Sequence, residues 1–182
     1  MTETPNIKLR HFKTIGQEYQ WFLLYEFQIL SLDFLAQTDE KILKNLIGTR
    51  IFRKELSHPE MGEKETQVVV KNVSRPYEIE KIDLTDWKFI KSKSEFQKWL
   101  RKFRTDDWEE DREDAQILID KAEKELWSRT IMTDGVWYLS KENFEDDSDK
   151  LIENHWIYLH FETFIEIDRQ NKLIRTFDFG YD

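Results

Sequence analysis

The chain of 182 residues contains no cysteine, and it has only 5 glycines and 3 prolines. The absence of cysteine excludes a disulfide scaffold, a thiolate zinc site and a cysteine nucleophile. So few glycines leave little room for flexible linkers or for a glycine-rich loop that holds a phosphate. Histidine is also rare, with 4 copies, and no HExxH, GxSxG or GxxxxGK[ST] pattern occurs. We therefore expect no metal ion, no cofactor and no known catalytic motif.

Long apolar runs are missing as well. No stretch approaches the roughly 18 apolar residues that a membrane span needs. The first residues, MTETPNIKLRHFK, contain no apolar segment of the kind found in signal peptides. The lack of cysteine is compatible with a reducing compartment. The sequence thus predicts a soluble cytoplasmic protein that does not contact a membrane.

What the chain does contain is acidic charge and aromatic rings. The net charge is -9, and 14% of the residues are Phe, Trp or Tyr. Affinity for nucleic acids comes largely from neutralised phosphates, so this charge argues against general nucleic-acid binding. A chain of this length can bury about 70% of its unfolded surface in one core. We therefore predict a single domain over residues 1–182.

The first half is predicted to contain two helices followed by three strands, after a short candidate strand at residues 7–12. Helical spacing of large apolar side chains predicts the first helix over residues 17–36. Because that helix would be apolar nearly all round, it would lie at the centre of the fold or against a second copy of the chain. The second helix runs from 39 to 47, between a Thr38 cap and Gly48. The strands are predicted over residues 49–56, 66–73 and 78–84.

Two more helices and four strands are predicted in the second half. A capping box over residues 92–95 begins the third helix, and the fourth runs from about 106 to 127. Asp134-Gly135 predicts a hairpin turn that joins residues 129–132 to residues 136–140. The fold class is therefore α+β, an antiparallel sheet packed by two helix pairs and closed by a C-terminal β-hairpin.

This order of elements suggests an αα-βββ duplication with halves 16–85 and 93–180. Residues 18–23 resemble residues 95–100, and residues 39–43 resemble residues 114–118. Amphipathic aromatic helices also match each other by chance, and that is the alternative explanation.

The register of the C-terminal hairpin can be predicted from its alternating pattern. Asn171 in a left-handed conformation would close a three-residue loop with a bulge and pair Asp168 with Lys172. Phe161 would then face Phe179, and the apolar side chains of both strands would share one face.

The same register would place two carboxylates directly opposite each other on the other face. The candidate ligand-binding residues are Tyr158, His160, Glu162 and Asp178. Two carboxylates and an imidazole could hold a divalent metal ion or share a proton for acid–base chemistry. The alternative is an ordinary charged surface whose charge a neighbouring Lys or Arg offsets.

Acidic side chains are also concentrated in two short segments. The partner-binding candidates are Asp106, Asp107, Glu109, Glu110, Glu113, Glu145, Asp146 and Asp147. An exposed acidic surface would attract a basic partner. The alternative is that the basic segment 88–104 neutralises the acidic segment that follows it.

The function predicted is that of a binding or interaction protein with an acidic recognition surface, such as an inhibitor or immunity-type antagonist of a basic protein. Two alternatives stay open. One is a small-molecule-binding or minor enzymatic pocket on the concave face of the sheet. The other is a homo-oligomeric subunit joined through helix 17–36. The lack of catalytic motifs makes an enzyme the less favoured interpretation.

Overall fold

A computed structural model describes most of the chain. It covers residues 6–17, 20–49, 52, 56–59, 67–70, 75–78, 80–105, 112–129, 135–144, 148–153 and 160–181. The strands are β1 (Ile7–Gln17), β2 (Gln20–Ile29), β3 (Leu56–Pro59), β4 (Gln67–Val70), β5 (Lys88–Ile90), β6 (Val136–Ser140), β7 (His160–Asp168) and β8 (Leu173–Tyr181). The helices are α1 (Leu32–Leu35), α2 (Asp39–Ile47), α3 (Lys93–Thr105) and α4 (Arg112–Arg129).

Six of the strands form one antiparallel sheet in the order β1-β2-β8-β7-β6-β5, and β3 and β4 form a separate antiparallel pair. The C-terminal hairpin, β7 and β8, lies in the middle of the large sheet rather than at its edge. The predicted α+β class with an antiparallel sheet is confirmed. No helix in the described part of the chain is long and apolar enough to cross a membrane.

Both faces of the sheet are covered. On the α2 face, Leu23, Phe27 and Ile165 belong to one core with Ile42 and Leu46 of α2. On the α4 face a second core joins strand residues to α3 and α4, and it includes Phe22, Leu24, Phe164, Phe177, Phe96, Leu118, Ile119 and Leu126. The central strands therefore need apolar side chains at successive positions instead of at alternate ones.

This two-sided burial explains why the predicted helix at 17–36 is wrong. Residues 20–29 form β2, which pairs with β1 on one side and β8 on the other. An apolar run that fills both faces of a strand also satisfies the spacing of a buried helix, so periodicity alone does not separate the two. The proposed homo-oligomer through helix 17–36 loses its structural basis, because residues 20–29 of that segment lie inside the sheet.

The helices with clear end signals are confirmed. α2 has the predicted bounds, and the backbone N–H of Gly48 closes it on Lys44 O at 3.2 Å. Thr38 occupies the N-cap position but makes no side-chain capping hydrogen bond. At the start of α3, Glu95 N donates to Ser92 Oγ at 3.2 Å, and the Glu95 carboxylate accepts from Lys91 N at 3.2 Å.

The predicted strands agree with the structure only in part. β1 is confirmed and extends to Gln17, and β4 lies within the predicted strand 66–73. Of the strand predicted at 49–56, the described part contains only Leu56 in a strand, and residues 50–51 and 53–55 lie outside it. In the strand predicted at 78–84, the described residues 78 and 80–84 form no strand, and the next strand along the chain is β5.

Most of the hairpin predicted around Asp134-Gly135 lies outside the described residues, which leave out 130–134. Arg129, the first residue of its predicted first strand, belongs to α4. Among the described strands, the two neighbours of β6 are β5 and β7. The turn signal was local, whereas both partners of β6 come from distant parts of the sequence.

The residue match behind the proposed duplication joins different structures. Residues 20–23 belong to a strand, whereas residues 95–100 belong to a helix. Residues 39–43 and 114–118 are both helical. The first match therefore gives the halves 16–85 and 93–180 no support.

Candidate functional site

The register of the β7–β8 hairpin differs by one residue from the prediction. Asp168 pairs with Leu173, and Phe164 pairs with Phe177. The turn residue with positive φ is Lys172, at 57°. Asn171 instead donates two hydrogen bonds to the Asp168 carboxylate, one from its backbone N and one from its Nδ2, both at 2.9 Å. The loop is thus one residue longer than predicted.

This shift separates the two carboxylates of the candidate ligand site. Glu162 pairs with Phe179 on the α4 face, whereas Asp178 pairs with Thr163 on the α2 face. The predicted pairing of Glu162 with Asp178 is therefore wrong. The backbone of His160 pairs with Tyr181, and Tyr158 lies outside the described residues. The pocket proposed around these four residues loses the geometry on which it rested.

Asp178 is buried beside a single arginine on the α2 face. Arg75 donates from Nε to Oδ1 at 3.0 Å and from Nη2 to Oδ2 at 2.5 Å, and Thr163 Oγ1 donates to Oδ1 at 2.7 Å. Nη1 of Arg75 donates to the carbonyl oxygen of Phe52, whose ring centroid lies 3.9 Å from the guanidinium carbon. Each guanidinium nitrogen and each carboxylate oxygen of the pair takes part in a hydrogen bond, which is how a buried ion pair is tolerated. No sequence signal marked Arg75.

Glu162 lies on the α4 face, beneath α3. Its side chain is buried, and Ser140 Oγ of the neighbouring strand donates to it at 2.8 Å. Tyr138 lies close by, with its ring centroid 5.5 Å from that of Trp99 in α3. Burial and the charge of Glu162 raise the pKa of Tyr138 far above its ordinary value. Tyr138 is therefore a hydrogen-bond donor at any physiological pH.

A larger group of buried charges, which we call the Arg175 cluster, crosses the same face. Arg175 donates from Nε to Glu26 at 3.1 Å, and from Nη1 to Glu166 at 2.8 Å and to Asp168 at 3.0 Å. All four side chains are at most 8% exposed. Arg10, which is 58% exposed, approaches Glu26 at 3.6 Å.

The pKa values in the Arg175 cluster follow from these contacts. Burial alone would raise the pKa of Asp168, but hydrogen bonds from Asn171 and Arg175 bring it below the ordinary value. Burial would lower the pKa of Arg175, yet Glu166, Asp168 and Glu26 raise it. The cluster therefore holds a fixed guanidinium cation that faces several carboxylates.

Buried charges change how the acidity of the chain should be interpreted. Among the described residues, five carboxylates and two arginines are buried, so three of the nine net negative charges lie inside the molecule. The carboxylates are Glu26, Glu162, Glu166, Asp168 and Asp178, and the arginines are Arg75 and Arg175.

The predicted acidic surface is described at one position only. Glu113 is exposed in the first turn of α4. The other candidates, Asp106, Asp107, Glu109, Glu110, Glu145, Asp146 and Asp147, lie outside the described residues. Within the described ranges, no group of three or more His, Asp or Glu side chains could hold a metal ion.

A different surface feature stands out at the end of β2. Leu30 and Leu32 are 55% and 66% exposed, the highest values among the exposed large apolar side chains of the described residues. We call residues 30–35, which include both leucines and α1, the leucine corner. Acidic Asp33 and Glu40 are exposed in or near it. Large apolar side chains that remain in water at neighbouring positions often mark a site of protein interaction.

Hydrogen bonds tie the backbone of the leucine corner to the sheet. Leu30 N donates to Asn6 O at 2.8 Å, and Phe34 N donates to the Ser31 side chain at 3.2 Å. Arg169, in the β7–β8 turn, donates to the carbonyl oxygens of Leu35 and Gln37 and to Asp39. The two leucines therefore project from a backbone that is held in place on both sides.

An aromatic pair, Trp137 and Phe89, lies on the strands β6 and β5. Trp137 Nε1 donates to the carboxylate of Asp39 at 3.3 Å, and the Trp137 ring lies 5.0 Å from that of Phe89, which is 38% exposed. The sequence interpretation missed the leucine corner because it placed residues 17–36 in one helix. Ser31, the N-cap of α1, was the signal that could have marked a new helix start here.

Comparisons with protein-family models, with curated proteins and with solved structures found no match to this chain. Functional inference consequently rests on the geometry of the molecule itself.

Proposed function

We propose that this protein binds a basic partner protein through the leucine corner and acts as an inhibitor or antagonist of that partner. The observation that carries the proposal is the exposure of Leu30 and Leu32, at 55% and 66%, on a backbone that hydrogen bonds hold in place. Exposed leucine side chains are unfavourably hydrated in the free protein, and this cost is removed when a partner covers them.

The expected energetics agree with a protein interface. Burying a leucine side chain contributes roughly 1.5–3 kcal/mol, so these two leucines, which are each more than half exposed, would supply about 2–4 kcal/mol together. Interface energy is concentrated in a few such anchors, while charged residues around them govern partner choice and association rate. Exposed Asp33 and Glu40 and the net charge of -9 favour a partner that is basic around an apolar contact.

The first experiment compares wild type with a Leu30→Ser, Leu32→Ser double variant. Each protein is immobilised and exposed to lysate of its source cells at low and high salt. We expect a basic protein to bind wild type, to be lost from the double variant, and to bind less tightly as salt rises. The matched control is Ile117→Ser, since Ile117 is 38% exposed on α4.

A second experiment tests antagonism. The captured protein is purified, and its activity is measured while wild type or the double variant is added. We expect the activity to fall with wild type near equimolar ratio and to stay unchanged with the double variant. Equal capture by wild type and the double variant, or loss of binding in the Ile117→Ser control, would contradict the proposed surface.

A further inference from the structure

The edge strand β1 contains a bulge opposite Glu26 of β2, and Arg10 approaches the Glu26 carboxylate at 3.6 Å. Leu9 pairs with Phe27 and His11 pairs with Glu26, so Arg10 is the extra residue on β1. Bulges redirect side chains and often lie at sheet edges. His11 consequently begins a row of polar residues that continues across the sheet through Glu26, Arg175 and Glu166.

The β1 end of this row lies near the last turn of α4. Glu125 of that turn accepts from Lys13 Nζ of β1 at 2.5 Å and from Arg129 Nε at 2.5 Å. His11 lies two residues before Lys13, and its Nε2 is buried with no hydrogen-bond partner among the described residues. Ile15, further along the strand, packs against the apolar core of the α4 face. The contact between β1 and α4 thus combines an ion-pair hub, an apolar contact and an unpaired imidazole nitrogen.

Charged groups surround His11 from three elements. α4 contributes Arg129 and Glu125, β2 contributes Glu26, and β1 itself contributes Lys13. Burial first, and then Arg129, lower the pKa of His11 below its ordinary value, and they outweigh the two glutamates, which would raise it. The imidazole is therefore neutral at pH 7. An added proton would bring a third cation to a contact in which Glu125 already pairs with Lys13 and Arg129.

We propose that protonation of His11 releases the last turn of α4 from the edge strand β1, so that this contact opens in mildly acidic solution. Opening would expose Ile15 and the buried Leu126 of α4 at one edge of the sheet. The direction of this pH dependence follows from the difference in proton affinity between the closed and the open form. A histidine whose pKa is lower in the closed form than in the open form stabilises the closed form fully above about pH 6.5, and this contribution is lost as pH falls through the lower value.

The test is amide hydrogen exchange at pH 7.5 and pH 5.0, with rates corrected for the intrinsic effect of pH. We expect protection in residues 7–17 and 122–129 to fall at pH 5.0 relative to β7 and β8. The loss should reach about tenfold for each unit by which the pKa values of the open and closed forms differ. His11→Gln should abolish this pH response, and the matched control His58→Gln should retain it.

Two further measurements keep the proposal open to refutation if His11→Gln does not fold. Arg129→Met should raise the pKa of His11 and so reduce the pH response, because it removes the cation that most disfavours the imidazolium. A titration of the wild-type imidazole by NMR should give a pKa below 6.5. A pKa above that value, a pH response that survives in His11→Gln, or an equal loss of protection in every element would overturn the proposal.

Discussion

Replacement of Arg175 by methionine is the most direct test of the buried charges. In wild type the guanidinium contacts three carboxylates at 2.8–3.1 Å, and all four side chains are at most 8% exposed. Arg175→Met keeps much of the side-chain volume but leaves Glu26, Glu166 and Asp168 without their shared cation. Removal of one partner from a buried ion pair costs about 3–5 kcal/mol. Since domains unfold with only about 5–15 kcal/mol, the variant should lie close to the limit of folding at pH 7.

The pH dependence makes this prediction specific. Without Arg175, the buried carboxylates repel one another with no cation between them, so the folded variant binds protons more readily than its unfolded chain does. Where the folded state binds more protons than the unfolded state, stability falls as pH rises. The stability deficit relative to wild type should therefore be largest at pH 7 and clearly smaller at pH 5.

The assay is urea unfolding followed by tryptophan fluorescence at pH 5 and pH 7, together with thermal melting. For a chain of this size, 3–5 kcal/mol corresponds to a fall of about 6–20 °C in Tm. Arg169→Met serves as the control, since Arg169 also pairs with an aspartate but its side chain is 36% exposed. It should cost about 1 kcal/mol and show little pH dependence. A deficit in Arg175→Met that is below 1 kcal/mol, or equal at both pH values, would refute the reasoning.

Three further predictions concern single positions. Gly135→Ala should destabilise by at least about 1 kcal/mol in urea unfolding, because Gly135 has φ of 91° and a Cβ would lie 2.4 Å from Ile90 O; a neutral result would contradict the tight approach of the two strands. Asn171→Ala should lower the free energy of unfolding by about 1 kcal/mol at pH 7. The difference from wild type should shrink as pH falls below about 4, because the Asn171 hydrogen bond stabilises only the ionised form of Asp168 and so lowers its pKa. Leu32→Ser should leave Tm within about 2 °C of wild type, since this side chain is 66% exposed; a larger fall would mean that the leucine corner serves folding.

Local signals in the sequence predicted the helices with clear ends. α2 lies between Thr38 and Gly48 as expected, and α3 begins directly after Ser92, whose hydroxyl accepts from Glu95 N. These features depend on hydrogen bonds between residues at most four positions apart, so a single short window contains the information. The same holds for the existence of the C-terminal hairpin, though not for its register.

The candidate site was predicted less well because two-sided burial is a property of the whole fold. When one face of a hairpin faces water, a slip by one residue exposes the apolar set, and the pattern determines the register. In this sheet both faces are covered, so Phe164 can pair with Phe177 on one face while Ile165 lies in the core of the other. A slip by one residue would still leave most apolar side chains buried, and the hydrogen bonds between Asp168 and Asn171 determine the turn.

The sequence by itself thus determined the α+β class, the bounds of α2, the start of α3 and the presence of a terminal hairpin, all through short-range capping, spacing and turn chemistry. Only the tertiary structure decided that residues 20–29 form a strand, that Glu162 and Asp178 lie on opposite faces, and that Arg75 and Arg175 neutralise buried carboxylates. Those outcomes depend on which layers cover the sheet and on partners more than a hundred residues away, as with Arg75 and Asp178. Contacts between such distant positions leave no periodic trace in a single sequence.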